Sequence, residues 1–234
     1  MSEYAPTQLV DLGKRIAATF GGTFSGVVGD SSHTYGYHRS RNALKKAGKN
    51  ADYSIQLPDD KAGDGDAASA IDINFSSATM RALSGHLLAA GRSGDPRMRG
   101  FREFFGTTDG KTVTGWDYAS GKTSTADSTH LWHIHLSVLR RYSRDSTVLA
   151  PIIDVLKGQK MSDVWEKMIP VSDWGQDRWP SLEERIKSRT ALGSSYLHAR
   201  AANDNTVDIL GQIKALRDEV AEIKSMLELC VQPF

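Results

Sequence analysis

Ser128-Thr129-His130-Leu131-Trp132-His133-Ile134-His135-Leu136-Ser137 gathers three of the chain's seven histidines into six residues. Apolar and polar residues alternate along it, and side chains on a strand point alternately to its two faces, so residues 130–138 read as a strand. Trp132, Ile134, Leu136 and Val138 are then expected to face a core, while His133, His135 and Ser137 face a cleft or solvent. Two imidazoles on one face, two residues apart, can serve one metal ion, or act as one ligand and one base. The bland alternative is a pair of surface histidines that happen to alternate, and an isolated His-x-His fits either.

Upstream, Ala67 to Phe75 reads as a buried strand that carries one carboxylate, Asp72, among small and apolar residues. A buried carboxylate without a partner is costly, so Asp72 is expected to meet a cation; the alternative is a carboxylate that caps a turn. Further back, Ser31 to Arg41 is a Gly/Ser/Tyr-rich turn region holding His33, His38, Arg39 and Arg41. Around these segments the pattern predicts an amphipathic helix over 8–20 with apolar residues at Leu9, Leu12 and Ile16. A turn-rich stretch runs from Gly21 to Asn50, and a second helix from Ser77 to Gly91 ends on a glycine. Lys111–Tyr118 and Lys122–Ser124 read as a hairpin about Ser120-Gly121, and Val148–Leu156 as a closing helix. Residues 1–158 therefore read as one domain of mixed helix and strand.

Composition narrows the chemistry. The 234 residues are 39% hydrophobic and 24% charged, enough for a sizeable core in one or two domains. Lys and Arg number 29 against 28 Asp and Glu, a net charge of +1, which argues against nucleic acid or an anionic membrane held by bulk charge. One cysteine, Cys230, excludes an intramolecular disulfide framework and a Cys-rich zinc module, so any metal must be held by His, Asp or Glu. The first six residues lack the basic and apolar regions of a secretion signal, and no stretch is apolar enough to span a membrane. Synthesis in a cytoplasm is expected.

Charge and character change together after residue 160. Residues 1–160 hold 20 basic and 16 acidic side chains, whereas residues 161–234 hold 9 and 12. A linker and helical region is expected over 159–203, with Trp165, Trp174 and Trp179 and a helix N-terminus at Ser181-Leu182-Glu183-Glu184. Over 204–234, Thr206, Ile209, Ile213, Leu216, Val220, Ile223, Leu227 and Cys230 alternate spacings of three and four, a heptad pattern that predicts a short coiled coil and a homodimer or homotrimer. One amphipathic helix packed on its own domain would show the same stripe.

The order His, then Asp, then His-x-His resembles the zinc peptidases of the M15 group, the D-Ala-D-Ala carboxypeptidases and L-alanyl-D-glutamate endopeptidases also called the LAS group. The likeness covers roughly residues 25–157. Ser31-Ser32-His33-Thr34-Tyr35-Gly36 matches the opening of the family's Ser-x-His-x-x-Gly-x-Ala-x-Asp block, and Ala70-Ile71-Asp72 its close, with about thirty residues inserted between. Ser40 stands where the family's Asp would follow His33, which leaves His38 and His33 both as candidates for the first ligand. In the second motif Trp132 replaces the glutamate of the Glu-x-x-His form, so the chain is similar to the His-x-His form, with His130 as in its histidine-rich version. Gly36-Tyr37-His38-Arg39, Arg102 to Gly110 and Val113 to Asp117 are similar to a divergent set in actinobacteria and their phages.

The resemblance implies an α+β fold, a small central antiparallel sheet with flanking helices of the M15 and Hedgehog kind, over residues 1–158. It implies a zinc ion on His38, Asp72 and His135, with His133 as general base and His130 as orienter or proton relay. Arg39 and Arg41 would bind a carboxylate of the substrate; the alternative is a pair of ordinary solvated arginines in a loop. The implied substrate is the stem or cross-bridge peptide of bacterial peptidoglycan, reached from a phage either at lysis or from the virion. Two other readings remain open: a virion structural or adaptor protein that keeps the fold without catalysis, and another metal hydrolase.

Overall fold

A computed structural model describes residues 3–29 and 33–160. The expectations for residues 161–234, the heptad run and the coiled coil among them, lie outside the described residues.

The described chain is α+β: a six-stranded antiparallel sheet flanked by helices. The sheet comprises β1 (Thr23–Gly26), β2 (Ala70–Asn74), β3 (Phe101–Gly106), β4 (Thr114–Asp117), β5 (Lys122–Ser124) and β6 (His133–Val138), in the spatial order β1-β2-β6-β3-β4-β5. The strand that opened the sequence reading thus sits in the middle, between β2 and β3. The helices are α1 (Thr7–Phe20), α2 (Arg41–Lys46), α3 (Pro58–Lys61), α4 (Ser77–Ser93), α5 (Ser146–Leu149) and α6 (Ile152–Leu156).

One face of the sheet carries the hydrophobic core. Ile71 and Ile73 of β2, Phe104 of β3 and Ile134, Leu136 and Val138 of β6 are buried there against Leu9, Leu12 and Ile16 of α1. Met80, Leu83 and Leu87 of α4 and Ile152 and Leu156 of α6 complete the same cluster. Helix α1 stops where Gly21 turns left-handed at φ 69° and donates its N–H to Ala17 O. At the start of α4, Ser76 caps the helix by accepting from Thr79 N.

Several expectations are corrected. Helix α4 runs past Gly91 to Ser93 and ends at left-handed Gly94. A Cβ on Gly91 would lie 2.4 Å from the Trp116 ring, so this glycine serves close packing of α4 on β4 and does not end the helix. The expected closing helix over 148–156 is two, α5 and α6, divided at Pro151, which has no N–H to continue the first. Central strand β3 was not anticipated. Its register against β6 slips between Phe101 and Glu103, so Phe101 and Phe104, three apart, both enter the core and the period of two is lost. Finally, β6 begins at His133, not at residue 130. The Asp127 side chain accepts from Thr129 N at 2.9 Å and winds Ser128–Leu131 into a 3-10 turn that contains His130. Trp132 ends that turn and is 58% exposed, not in the core as expected.

Candidate metal centre

The second face of the sheet is polar, yet it is buried too. In the antiparallel register Asp72 of β2 lies directly opposite His135 of β6, with Ala70 opposite Ser137 and Asn74 opposite His133. Directly opposed residues share a face, so Asp72, His133, His135 and Ser137 project together. On the other side of β6, Glu103 of β3 is opposite Ser137 and Phe105 is opposite His135. His133, His135, Ser137 and Glu103 are all at most 7% exposed.

The cover is the segment after β1. Val27 O accepts from Nδ1 of His38 at 2.7 Å, Gly29 N donates to His38 O, and Ser69 N donates to Tyr37 O at 2.7 Å. The buried Arg140 guanidinium ties the same segment down, donating from Nε to Ser54 O at 2.9 Å and from Nη2 to Gly36 O at 3.4 Å. Tyr37 Oη and Arg140 N both donate to the carboxylate of Asp60. These bonds carry His38 onto the polar face of the sheet.

Three side chains then converge. His38 Nε2 is 3.0 Å from Asp72 Oδ2 and 3.1 Å from His135 Nδ1, which in turn is 2.9 Å from Asp72 Oδ1. The outer nitrogen of His38 assigns its tautomer. Val27 O can only accept, so His38 Nδ1 carries the proton and its Nε2 lone pair points inward, while His135 Nε2 lies 2.8 Å from Ser137 Oγ, a hydroxyl that can give or take a proton. With the His135 proton on Nε2, three lone-pair-bearing atoms this close would repel one another unless a positive charge lay among them. A tetrahedral ion with bonds of ~2.0–2.1 Å sets its ligand atoms about 3.3 Å apart. The observed 2.9–3.1 Å is close to that spacing.

Burial alone would raise the Asp72 carboxyl, but the His135 and His38 imidazoles outweigh it and hold the group well below the usual carboxylate range. Burial pushes His135 down to about 4 against the pull of Asp72, so the ring is neutral at pH 7 and its lone pair is available. His133 is also lowered, chiefly by burial; its Nε2 is 3.7 Å from Asp72 Oδ1, and its buried Nδ1 has no hydrogen-bond partner among the described residues.

Around the trio the structure places the remaining candidates. The His130 ring lies 4.8 Å from the His133 ring, tilted 41° to it, with its Nδ1 3.2 Å from Asp127 O. His33 is exposed and meets His38 edge-on at 5.1 Å. His33, His38 and Asp72 offer ligand atoms that all lie within 4.8 Å of one another, a group able to hold a metal ion. Both candidates for the first ligand therefore reach the site, with His38 the one buried against Asp72 and His135. Arg39 pairs with Glu3 at 2.9 Å and donates to His33 O at 3.2 Å. Arg41 donates to the carbonyls of Asp60, Lys61, Ala62 and Gly63, at the end of α3.

One buried participant was missed. Glu103 accepts from Tyr53 Oη at 2.8 Å and from Ser137 Oγ at 3.3 Å, and Ser137 contacts His135. Burial raises its carboxyl above the ordinary glutamate value, against hydrogen bonds and the Arg102 guanidinium that lower it. The signal was available, since a lone carboxylate inside Phe101–Phe105 is the same kind of anomaly that singled out Asp72.

No protein-family model matches the chain, and no curated protein or solved structure matches it either.

Proposed function

We propose that this protein is a zinc-dependent peptidoglycan peptidase of the M15 kind, phage-encoded, that cuts stem or cross-bridge peptides of the bacterial wall. One observation carries the reading: His38 Nε2, His135 Nδ1 and the Asp72 carboxylate converge within 2.9–3.1 Å. Two neutral imidazoles and one carboxylate are a donor set that suits zinc. The resemblance of the His, Asp, His-x-His order to the family supplies the substrate class.

A zinc ion held by His38, Asp72 and His135 would supply Lewis acidity toward a water and toward the scissile carbonyl. The chain's own residues do the rest. His133 is neutral through burial and on the same face as His135, so its Nε2 can hold the proton taken from the attacking water and return it to the leaving amine. His130, anchored at Nδ1 by Asp127 O, lies against the His133 ring. Arg39, by donating to His33 O, braces the loop that bears both first-ligand candidates.

The test is metal content of the purified full chain, with and without His135→Ala, alongside digestion of isolated cell walls. About one zinc per chain is expected, lost in the variant together with wall digestion. A folded, metal-free protein inert on walls would overturn the reading and favour a structural protein of the virion.

A further inference from the structure

We propose that Glu103 is a positioning residue of the metal site, acting through Ser137 to hold His135 in the tautomer that turns Nδ1 toward the metal. This rests on the metal-site reading above and adds to it a residue outside the His, Asp, His-x-His pattern.

The argument is one of proton counting. Ser137 Oγ has a single proton and lies between His135 Nε2 at 2.8 Å and Glu103 Oε1 at 3.3 Å. Glu103 Oε1 also receives the Tyr53 hydroxyl at 2.8 Å, so this oxygen is an acceptor on both sides. Tyr53 is a secure donor because burial, then the charge of Glu103, raise its phenol far above its ordinary value. With the acceptor end defined, Ser137 must give its proton to Glu103, and its lone pairs are left for His135. His135 Nε2 must then carry the ring proton, which leaves Nδ1 bare beside Asp72 Oδ1 at 2.9 Å. The opposite tautomer would set a bare Nε2 against the Ser137 oxygen and place an N–H where the metal belongs.

Nothing in the core explains this carboxylate. Glu103 is 4% exposed and Ser137 0%, and burying a charged group on a sheet face is expensive unless it is fully hydrogen-bonded. A carboxylate or carbonyl behind a ligating histidine fixes ring and tautomer and raises the basicity of the ligand. His38 uses a backbone carbonyl, Val27 O, for this purpose, and His135 uses the Ser137–Glu103 pair.

The test compares zinc affinity, by chelator competition on the full chain, for wild type, Glu103→Gln, Ser137→Ala and the double variant. Each single change is expected to weaken zinc about 10- to 100-fold. The double variant is expected to bind no more weakly than Ser137→Ala, because both act along one path; additive losses would mean separate structural roles and overturn the proposal. Wild type that binds no zinc defeats the metal reading itself. Wild type that binds it while Glu103→Gln matches it defeats only this inference. Should Glu103→Gln fail to fold, 15N imidazole spectra of zinc-free wild type decide: a protonated Nε2 on His135 is expected, and a protonated Nδ1 would overturn the assignment.

Discussion

The two faces of the sheet are built from the same strands and bury their central residues almost equally, yet by opposite means. On one face Ile71, Phe104, Ile134, Leu136 and Val138 meet α1, α4 and α6 as an apolar cluster. On the other, Asp72, Glu103, His135 and Ser137 meet the segment that carries His38 and Tyr53 through hydrogen bonds. The first face gains stability from apolar area removed from water. The second spends it, because buried polar atoms there need hydrogen-bond partners. The apolar face supports a polar one that would not fold by itself.

Separate roles make separate predictions. The largest effect belongs to the apolar face. Phe104 is 0% exposed, so Phe104→Ala should cost about 3–5 kcal/mol in denaturant unfolding. The fraction that stays folded should keep the zinc stoichiometry of wild type; loss of zinc as well would show that the faces are not separable.

Next comes Asp72→Asn, which keeps shape but removes charge between the two imidazoles. Zinc-free stability should change by about 1 kcal/mol or less, since the amide can donate to an inward lone pair. Wild type should gain about 4 kcal/mol at free zinc 1,000-fold above its Kd, and the variant essentially none. Thermal unfolding with and without zinc reads both, and an equal zinc shift in the two proteins would refute the site.

The acid range gives a third test on zinc-free protein. Folding lowers His135 from 6.5 to about 4, so between those values the unfolded chain binds the proton that the folded chain refuses. Stability must therefore fall as pH drops from 6.5 toward 4, by on the order of 3 kcal/mol from this residue. Glu103 and Asp60 are shifted upward and slope the other way, so the comparison is with His135→Gln, which should lack this component. Parallel stability curves for the two proteins would contradict the assignment.

Trp132→Ala should do least, within about 0.5 kcal/mol, because the side chain is 58% exposed at the end of a turn. A loss of several kcal/mol would instead restore it to the core.

Legibility followed the same division. Regular periods were readable: α1 from its apolar stripe, β2 and most of β6 from their patterns, and the β4–β5 turn from Ser120-Gly121, where Gly121 is left-handed at φ 65°. Strand β3 was hidden because its register slip puts Phe101 and Phe104 on one face. Trp132 misled because alternation says nothing of where a strand begins, and the Asp127 cap moved that start to His133. At the site, Asp72 was readable as a carboxylate among apolar neighbours and His135 from the His-x-His alternation, whereas His38 and His33 stood as alternatives in one turn region. Glu103 carried the same mark as Asp72, but it was obscured by Arg102 beside it, whose ion pair with Asp117 is an ordinary one.

Residue order alone therefore settles which atoms can bind a metal without cysteine, and that two of them, Asp72 and His135, lie in strands. It does not bring them together. Antiparallel pairing of β2 with β6, strands some sixty residues apart in the chain, sets Asp72 against His135. A hydrogen bond to Val27 O and the clamp of Arg140 deliver His38 to them. Which imidazole nitrogen faces the centre follows from the outer partners, Val27 O for His38 and, on our proposal, Ser137 backed by Glu103 of another strand for His135. Local sequence encodes propensity and chemistry, whereas register, tautomer and convergence depend on long-range contacts that exist only once the chain has folded.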